Sequence, residues 1–180
     1  RSNRTTALVW GDYELDGHLD LAESNWGGAN HIYRNDRRGD TSNEEVSLEQ
    51  LDLPGAGVGT NTKKIIWLDH DNDGDLDLLV LNLDDYPTLM RNDHPSGHWL
   101  LLRLSGRQSN RDGIGARIKV TSGGMEQIRE VGAGTSFLSH SDLRVHFGLG
   151  EAEMVERLEV RWPSGVMQEF TDVASNTAAA

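Results

Sequence analysis

The stretch Asp69-His-Asp71-Asn-Asp73-Gly74-Asp75-Leu76-Asp77 places five carboxylates in nine residues, and the same frame stands upstream as Asp12-Tyr-Glu14-Leu-Asp16-Gly17-His18-Leu19-Asp20. Sliding the chain against itself by 57 residues aligns the two copies without a gap from Ala7 to Asp36. More than the acids coincide. Trp10 falls on Trp67, Gly17 on Gly74, Asp20-Leu21 on Asp77-Leu78, Asn25 on Asn82, and Arg34-Asn35-Asp36 on Arg91-Asn92-Asp93. A chance acidic tract would not carry the Trp, the Asn and the closing Arg-Asn-Asp with it. Self-similarity at tens of residues marks solenoids, propellers and arrays.

The flanks identify the kind of array. Lys64-Ile-Ile-Trp67-Leu68 precedes the second loop and Leu76-Asp-Leu-Leu-Val-Leu81 follows it; Ala7-Leu-Val-Trp10 and Leu19-Asp-Leu-Ala22 flank the first. These runs are short, apolar and rich in strand formers, and they lack the 3.6-residue period of an amphipathic helix. Each loop therefore joins two strands. Tyr33-Arg34 and Thr88-Leu-Met-Arg91 read as the third strand of each repeat.

Acids at alternate positions, then a Gly, then one more Asp, form an oxygen-rich cage for a hard cation. Two unit charges about 4 Å apart repel by roughly 1 kcal/mol in water and about 4 kcal/mol at an effective dielectric near 20. A bound Ca²⁺ takes 6–8 oxygens and reverses that sign, whereas Mg²⁺ prefers octahedral geometry and keeps its waters. An EF-hand needs a carboxylate at the twelfth position and helices on both sides. Glu23 fits that position in the first copy, but Val80 fills it in the second, and the strand-like flanks decide against the EF-hand. The ninth position, Asp20 or Asp77, closes the cage instead. Solvated acidic turns are the alternative, since Asp and Gly are common in turns; two copies in register favour metal.

The pattern strand, D-x-D-x-D-G-x-x-D-L, strand resembles the FG-GAP/VCBS repeats of calcium-binding β-propellers. The resemblance implies ligands at Asp69, Asp71, Asp73 and Asp77 with the carbonyl of Asp75 between them. It implies Asp12, Glu14, Asp16 and Asp20 with the carbonyl of His18 at the first site. Glu14 departs from the family pattern, being longer than Asp.

Past Asp93 the periodicity stops, and His94-Pro-Ser-Gly97 reads as a linker. Beyond it, Ala116, Ile118 and Val120 alternate with Arg117 and Lys119. Leu143, Val145 and Phe147 alternate with Arg144 and His146, and Leu158, Val160 and Trp162 with Arg157, Glu159 and Arg161. Trp99 to Leu104 is a more fully apolar strand. Period-two alternation in short runs argues antiparallel sheets with one buried face. The fold expected is all-β: two propeller-blade-like repeats over residues 1–95, then a small antiparallel β-sandwich over 96–180. The words Asn110-Arg-Asp-Gly-Ile-Gly115-Ala-Arg117, Gly132-Ala-Gly134-Thr-Ser136-Phe-Leu-Ser139, Leu143-Arg-Val-His-Phe-Gly-Leu-Gly150 and Val160-Arg-Trp-Pro-Ser-Gly165 resemble the ASPIC/UnbV domain, which sits after FG-GAP/VCBS repeats in cartilage acidic proteins and many bacterial secreted proteins.

The chain of 180 residues has no Cys, so neither disulfides nor thiol chemistry enter. A net charge of −12 argues against nucleic acid, which needs a basic stripe. No apolar run approaches the roughly 20 residues of a membrane span. The chain opens a few residues before a strand, which fits a targeting segment removed or left out.

Other features are set aside. Ser139-His-Ser-Asp142 holds the letters of a hydrolase triad, but neighbours in sequence do not converge as a triad must. The seven His residues show no HExxH pairing, and the alternate position of His70 points it away from the cage. Arg38-Gly39-Asp40 matches an integrin-recognition tripeptide of a length that arises by chance, and Asn3-Arg4-Thr5 a glycosylation acceptor. Trp10 and Trp67 are expected in core packing between repeats, ahead of stacking on a sugar. Glu44 to Leu53 reads as a turn of helix or an outer strand, and Ala178 to Ala180 shows no evident role.

The function expected is a non-enzymatic, extracellular, calcium-binding β protein acting in adhesion, matrix or filament-like assembly. Its partners are other subunits or the remainder of a longer propeller, with glycans as further ligands. The alternative is a scaffold or binding module of a carbohydrate-active or biosynthetic enzyme. Propellers close with typically 4–8 blades, so two repeats leave strand edges that invite pairing.

Overall fold

The computed structural model describes residues 4–35, 48–52, 61–83, 85–93, 97–132 and 142–179. Its described elements are strands, fourteen in all, with no helix among them. The chain forms two compact units, the first mainly Arg1–Tyr13 and His18–Asp93, the second mainly Glu14–Gly17, His94–Thr135 and His140–Ala180. The chain changes unit after Asp93, and residues 14–17 belong with the second unit. Within it Leu15 is buried, and its carbonyl accepts a hydrogen bond from the Gly150 amide at 2.7 Å.

In the first unit β1 (Arg4–Gly11), β2 (Asp20–Trp26), β3 (His31–Asn35) and β4 (Leu48–Asp52) run antiparallel in that order. β4 is the outer strand, which settles the ambiguity over its stretch. The second repeat is β5 (Asn61–Leu68), β6 (Asp77–Leu83) and β7 (Thr88–Met90). One bridge, Trp26 to Asn61, joins β2 to β5. The 57-residue offset holds in the pairing. Gly11 faces Asp20 as Leu68 faces Asp77, and Leu21 faces Tyr33 as Leu78 faces Met90. Even the register shift between Thr5 and Ala7 recurs between Thr62 and Lys64.

The two repeats bury opposite faces against one another. Directly paired residues in a sheet share a face. Repeat 1 contributes Val9, Ala22 and Ile32 to a common cluster, and repeat 2 contributes Ile65, Leu78 and Val80. Their 57-residue equivalents fall on the other faces: Val9 corresponds to Ile66, and Ile65 to Leu8. The two Trp residues split accordingly. Trp67 packs on the cluster, stacks on Tyr13 with ring centroids 5.9 Å apart, and donates its Nε1–H to the Val9 carbonyl at 3.3 Å. It lies so close over Gly11 that a Cβ there would stand 2.6 Å from the indole. Trp10 is 58 % exposed, so the expectation of core packing is corrected for it. The neighbour that its face would need is not among the described residues.

In the second unit β9 (Arg117–Ser122), β10 (Met125–Glu130), β12 (Met154–Arg161) and β13 (Met167–Ala174) form a sheet in the order β10-β9-β12-β13. β8 (His98–Leu102), β11 (Val145–Gly150) and β14 (Thr177–Ala179) form another, ordered β11-β8-β14. One core holds Leu100, Ile118, Val120, Phe147, Val155 and Val160 from both sheets. Ile118, Val120, Phe147 and Val160 are residues that the alternation predicts, and each such side chain buried from water is worth about 1.5–3 kcal/mol. Two expectations are corrected. The sandwich is not wholly antiparallel, because β14 pairs parallel to β8. The Ala-rich end has a role: Ala179 packs on the core and its carbonyl accepts from the Arg103 amide at 2.8 Å. Ala has little strand preference, so pairing to β8 rather than propensity makes this strand. No helix of the described residues is long and apolar enough to cross a membrane.

Candidate metal centre

Each acidic loop turns through two left-handed residues at equivalent places. Gly17 has φ +91° and Gly74 +98°, and two residues earlier Leu15 and Asn72 both have φ +61°. Glycine reaches that region without cost, and Asn tolerates it better than most residues. A Leu there is unusual, and the burial of Leu15 in the second unit holds it.

The closing aspartates are built alike. Asp20 accepts from the Tyr13 amide at 3.2 Å through Oδ2 and from the Asn35 amide at 2.8 Å through Oδ1. Asp77 accepts from the equivalent His70 and Asn92 amides at 3.0 and 2.9 Å. Both carboxylates are almost fully buried, Asp20 at 2 % and Asp77 at 1 % exposure. Each therefore ties the start of its loop to the end of the third strand. This explains why the repeated Arg-Asn-Asp travels with the acids, since its Asn supplies the second amide. Charge-assisted bonds of this kind are shorter and about twice as strong as neutral ones.

The first acid of each loop, Asp12 or Asp69, is also buried. In the second loop Asp69, Asp71 and Asp73 bring one oxygen each to within 4.8 Å of one another. Two ligands of one Ca²⁺ stand at most twice 2.3–2.6 Å apart, roughly 5 Å, so a single ion fits that spacing and an oxygen donor set of this kind. Asp75 is buried, and its amide bonds Asp73 Oδ1 at 3.1 Å. Among the described residues, both groups of three ligand atoms at this spacing lie in the second loop. The first loop is divided: Asp12, His18 and Asp20 belong to the first unit, Glu14 and Asp16 to the second.

His70 departs from its expected place. Its Nδ1 lies 2.6 Å from Asp77 Oδ2 and 3.7 Å from Asp71, so the ring is on the site and not away from it. The hydrogen bond with Asp77 raises its pKa, aided by the charges of Asp77 and Asp71 and opposed by desolvation and Arg91. Arg91 was also unforeseen. It reaches Asp71 at 3.3 Å, Asp73 at 3.6 Å and Asp93 at 2.7 Å. Its alignment with Arg34 was the available signal, but Arg34 pairs with Glu49 on β4. The motifs set aside at 38–40 and 139–141, and Asn3, lie outside the described residues; Asp142 bonds the Arg144 amide and guanidinium.

Fold and loops define an all-β chain with a duplicated acid-loop repeat and a two-sheet C-terminal unit. Residues 106–179 match the family described as ASPIC and UnbV, so that unit carries an ASPIC/UnbV domain. No curated protein matches the chain.

Proposed function

We propose that the first unit is a pair of FG-GAP/VCBS-type, propeller-blade-like repeats stabilised by Ca²⁺, and that the protein works outside the cell without catalysis, in adhesion, matrix or filament-like assembly. The observation that carries this reading is the convergence of Asp69, Asp71 and Asp73 within 4.8 Å, in a loop whose two amide bonds to the closing Asp recur 57 residues earlier. Asp69, Asp71, Asp73 and Asp77, with the carbonyl of Asp75, would hold one ion. The ion supplies charge neutralisation to a turn that repels itself, and binding to the folded loop alone adds to folding stability. Its partners are further repeats or subunits, with glycans as additional ligands; the net charge of −12 argues against nucleic acid.

Thermal unfolding in Ca²⁺ and in chelator, on wild type and Asp73→Ala, tests it. Calcium at a hundredfold its Kd adds about 2.7 kcal/mol, a shift of roughly 5–10 °C for a chain of this size. Chelation is expected to remove that shift in wild type and to do little more to the variant. A melting curve that ignores the chelator would sink the proposal.

A further inference from the structure

We propose that the two outward faces of the repeat pair are complementary, and that copies of this chain stack head to tail through them. The proposal deepens the assembly reading above and rests on that part of it, not on the metal. The two repeats already display the contact in question. The core face of repeat 1, with Val9, Ala22 and Ile32, meets the core face of repeat 2, with Ile65, Trp67 and Val80. Shifted by 57 residues, the core face of repeat 2 becomes the outward face of repeat 1, where Leu8 is 52 % and Trp10 58 % exposed. The core face of repeat 1 becomes the outward face of repeat 2, where Ile66 and Leu79 are half-buried and Leu89 is 45 % exposed. Pairing confirms these assignments, since Trp10 faces Leu21 across β1 and β2, and Ile66, Leu79 and Leu89 lie in one row across β5, β6 and β7.

The outward face of repeat 2 thus presents the counterpart of what Trp67 packs on, and repeat 1 presents the counterpart of Trp67. An outward repeat-1 face against an outward repeat-2 face reproduces the internal junction. Two different patches are joined, so the contact is heterologous and propagates or closes a ring; it does not stop at a twofold dimer. Repeat units that stack bury a continuous core, and each face left over is a seat for another unit. The copy is not perfect. Gly11, over which Trp67 lies, corresponds to Leu68, so Trp10 cannot sit as deeply as Trp67 does. Glu23 stands where repeat 2 has Val80, but its carboxylate already accepts from Thr5 and Tyr33 at 2.7 and 2.9 Å. The contact between copies is therefore weaker than the one within a copy and depends on concentration.

The test is sedimentation velocity in Ca²⁺ over a concentration series, on wild type, Trp10→Glu, Leu89→Glu and their mixture. Both altered side chains are exposed, and unchanged melting curves establish that the variants fold. Wild type is expected to form dimers and larger species. Each variant alone weakens association by roughly tenfold or more, as loss of a central apolar anchor does. The equimolar mixture has one good face on each partner, so it regains a dimer and goes no further. A wild type that stays monomeric overturns the stacking while leaving the calcium reading intact, because the chelation shift is read separately. Variants that associate like wild type, or a mixture that stays monomeric, overturn it too.

Discussion

In the first acidic loop Asp20 binds two backbone amides; in the second, Asp77 binds the equivalent two and the ring of His70 as well. The Arg that follows the third strand makes a sharper contrast. Arg34 turns to Glu49 on β4, whereas Arg91 turns back to Asp71, Asp73 and Asp93. The cause is a neighbour: β3 has β4 beside it with a carboxylate opposite, and no strand pairs beyond β7 among the described residues. Two jobs that the sequence merges are thereby separated. The ninth-position Asp braces loop to strand in both copies, and in the second loop three further acids converge with Arg91 against them.

If the brace is common, Asp20→Ala and Asp77→Ala should both be severe. Each removes a buried carboxylate that accepts two amide bonds, and bonds to a charged group contribute about 1.5–3 kcal/mol each. A loss of roughly 3–5 kcal/mol in the first unit is expected from either, read by urea denaturation in chelator as well as in Ca²⁺. A penalty that vanishes in chelator would make the ninth Asp a ligand and nothing more.

The cage should be uneven where the brace is not. Asp73→Ala is expected to weaken Ca²⁺ binding roughly tenfold or more in titration calorimetry, since ligand charge count sets affinity in such loops. Asp16→Ala, at the equivalent place, should leave the tighter step unchanged. Equal losses would erase the difference drawn between the loops. A subtler version uses the arginines. Arg91→Gln withdraws a cation from beside two ligands and should tighten Ca²⁺ about two- to fivefold, the scale of an exposed ion pair. Arg34→Gln should not.

How much of this was legible in the residues depends on whether local or distant physics decides. The loops were legible because Gly17 and Gly74, the alternating acids and the closing Asn are fixed by backbone demands within a few residues. The C-terminal strands were legible because Ile118, Val120, Leu158 and Val160 alternate with charges, so that only one face can be buried. The inward face of each repeat was not, because Leu8-Val9-Trp10 and Ile65-Ile66-Trp67 are apolar at both parities. Only the neighbouring repeat decides which half of each run is covered. Leu15 carries no signal within the acidic frame, yet it is buried in the second unit, and β14 exists only because β8 offers an edge.

Glu23 and Val80 give the finest test, because they occupy equivalent places with opposite chemistry. Val80 is wholly buried on the core face. Glu23 lies on the outward face, where burial alone would raise its pKa, but hydrogen bonds from Thr5, Tyr33 and Asn25 and the charge of His31 bring it below the ordinary value of 4.5. A carboxylate whose folded pKa is depressed contributes stability that is present above its unfolded pKa and is lost as pH falls through the folded value. Glu23→Gln should therefore cost a little stability at pH 6 to 7 and progressively less on acidification below about pH 4.5. The variant's urea midpoint, followed downward in pH, should converge on that of wild type. Glu23→Val, which copies repeat 2, should show the same flattening while strengthening association between copies. Parallel midpoint curves for wild type and Glu23→Gln would mean that the bonds to Thr5 and Tyr33 carry no net charge preference, and that the two repeats differ here in shape alone.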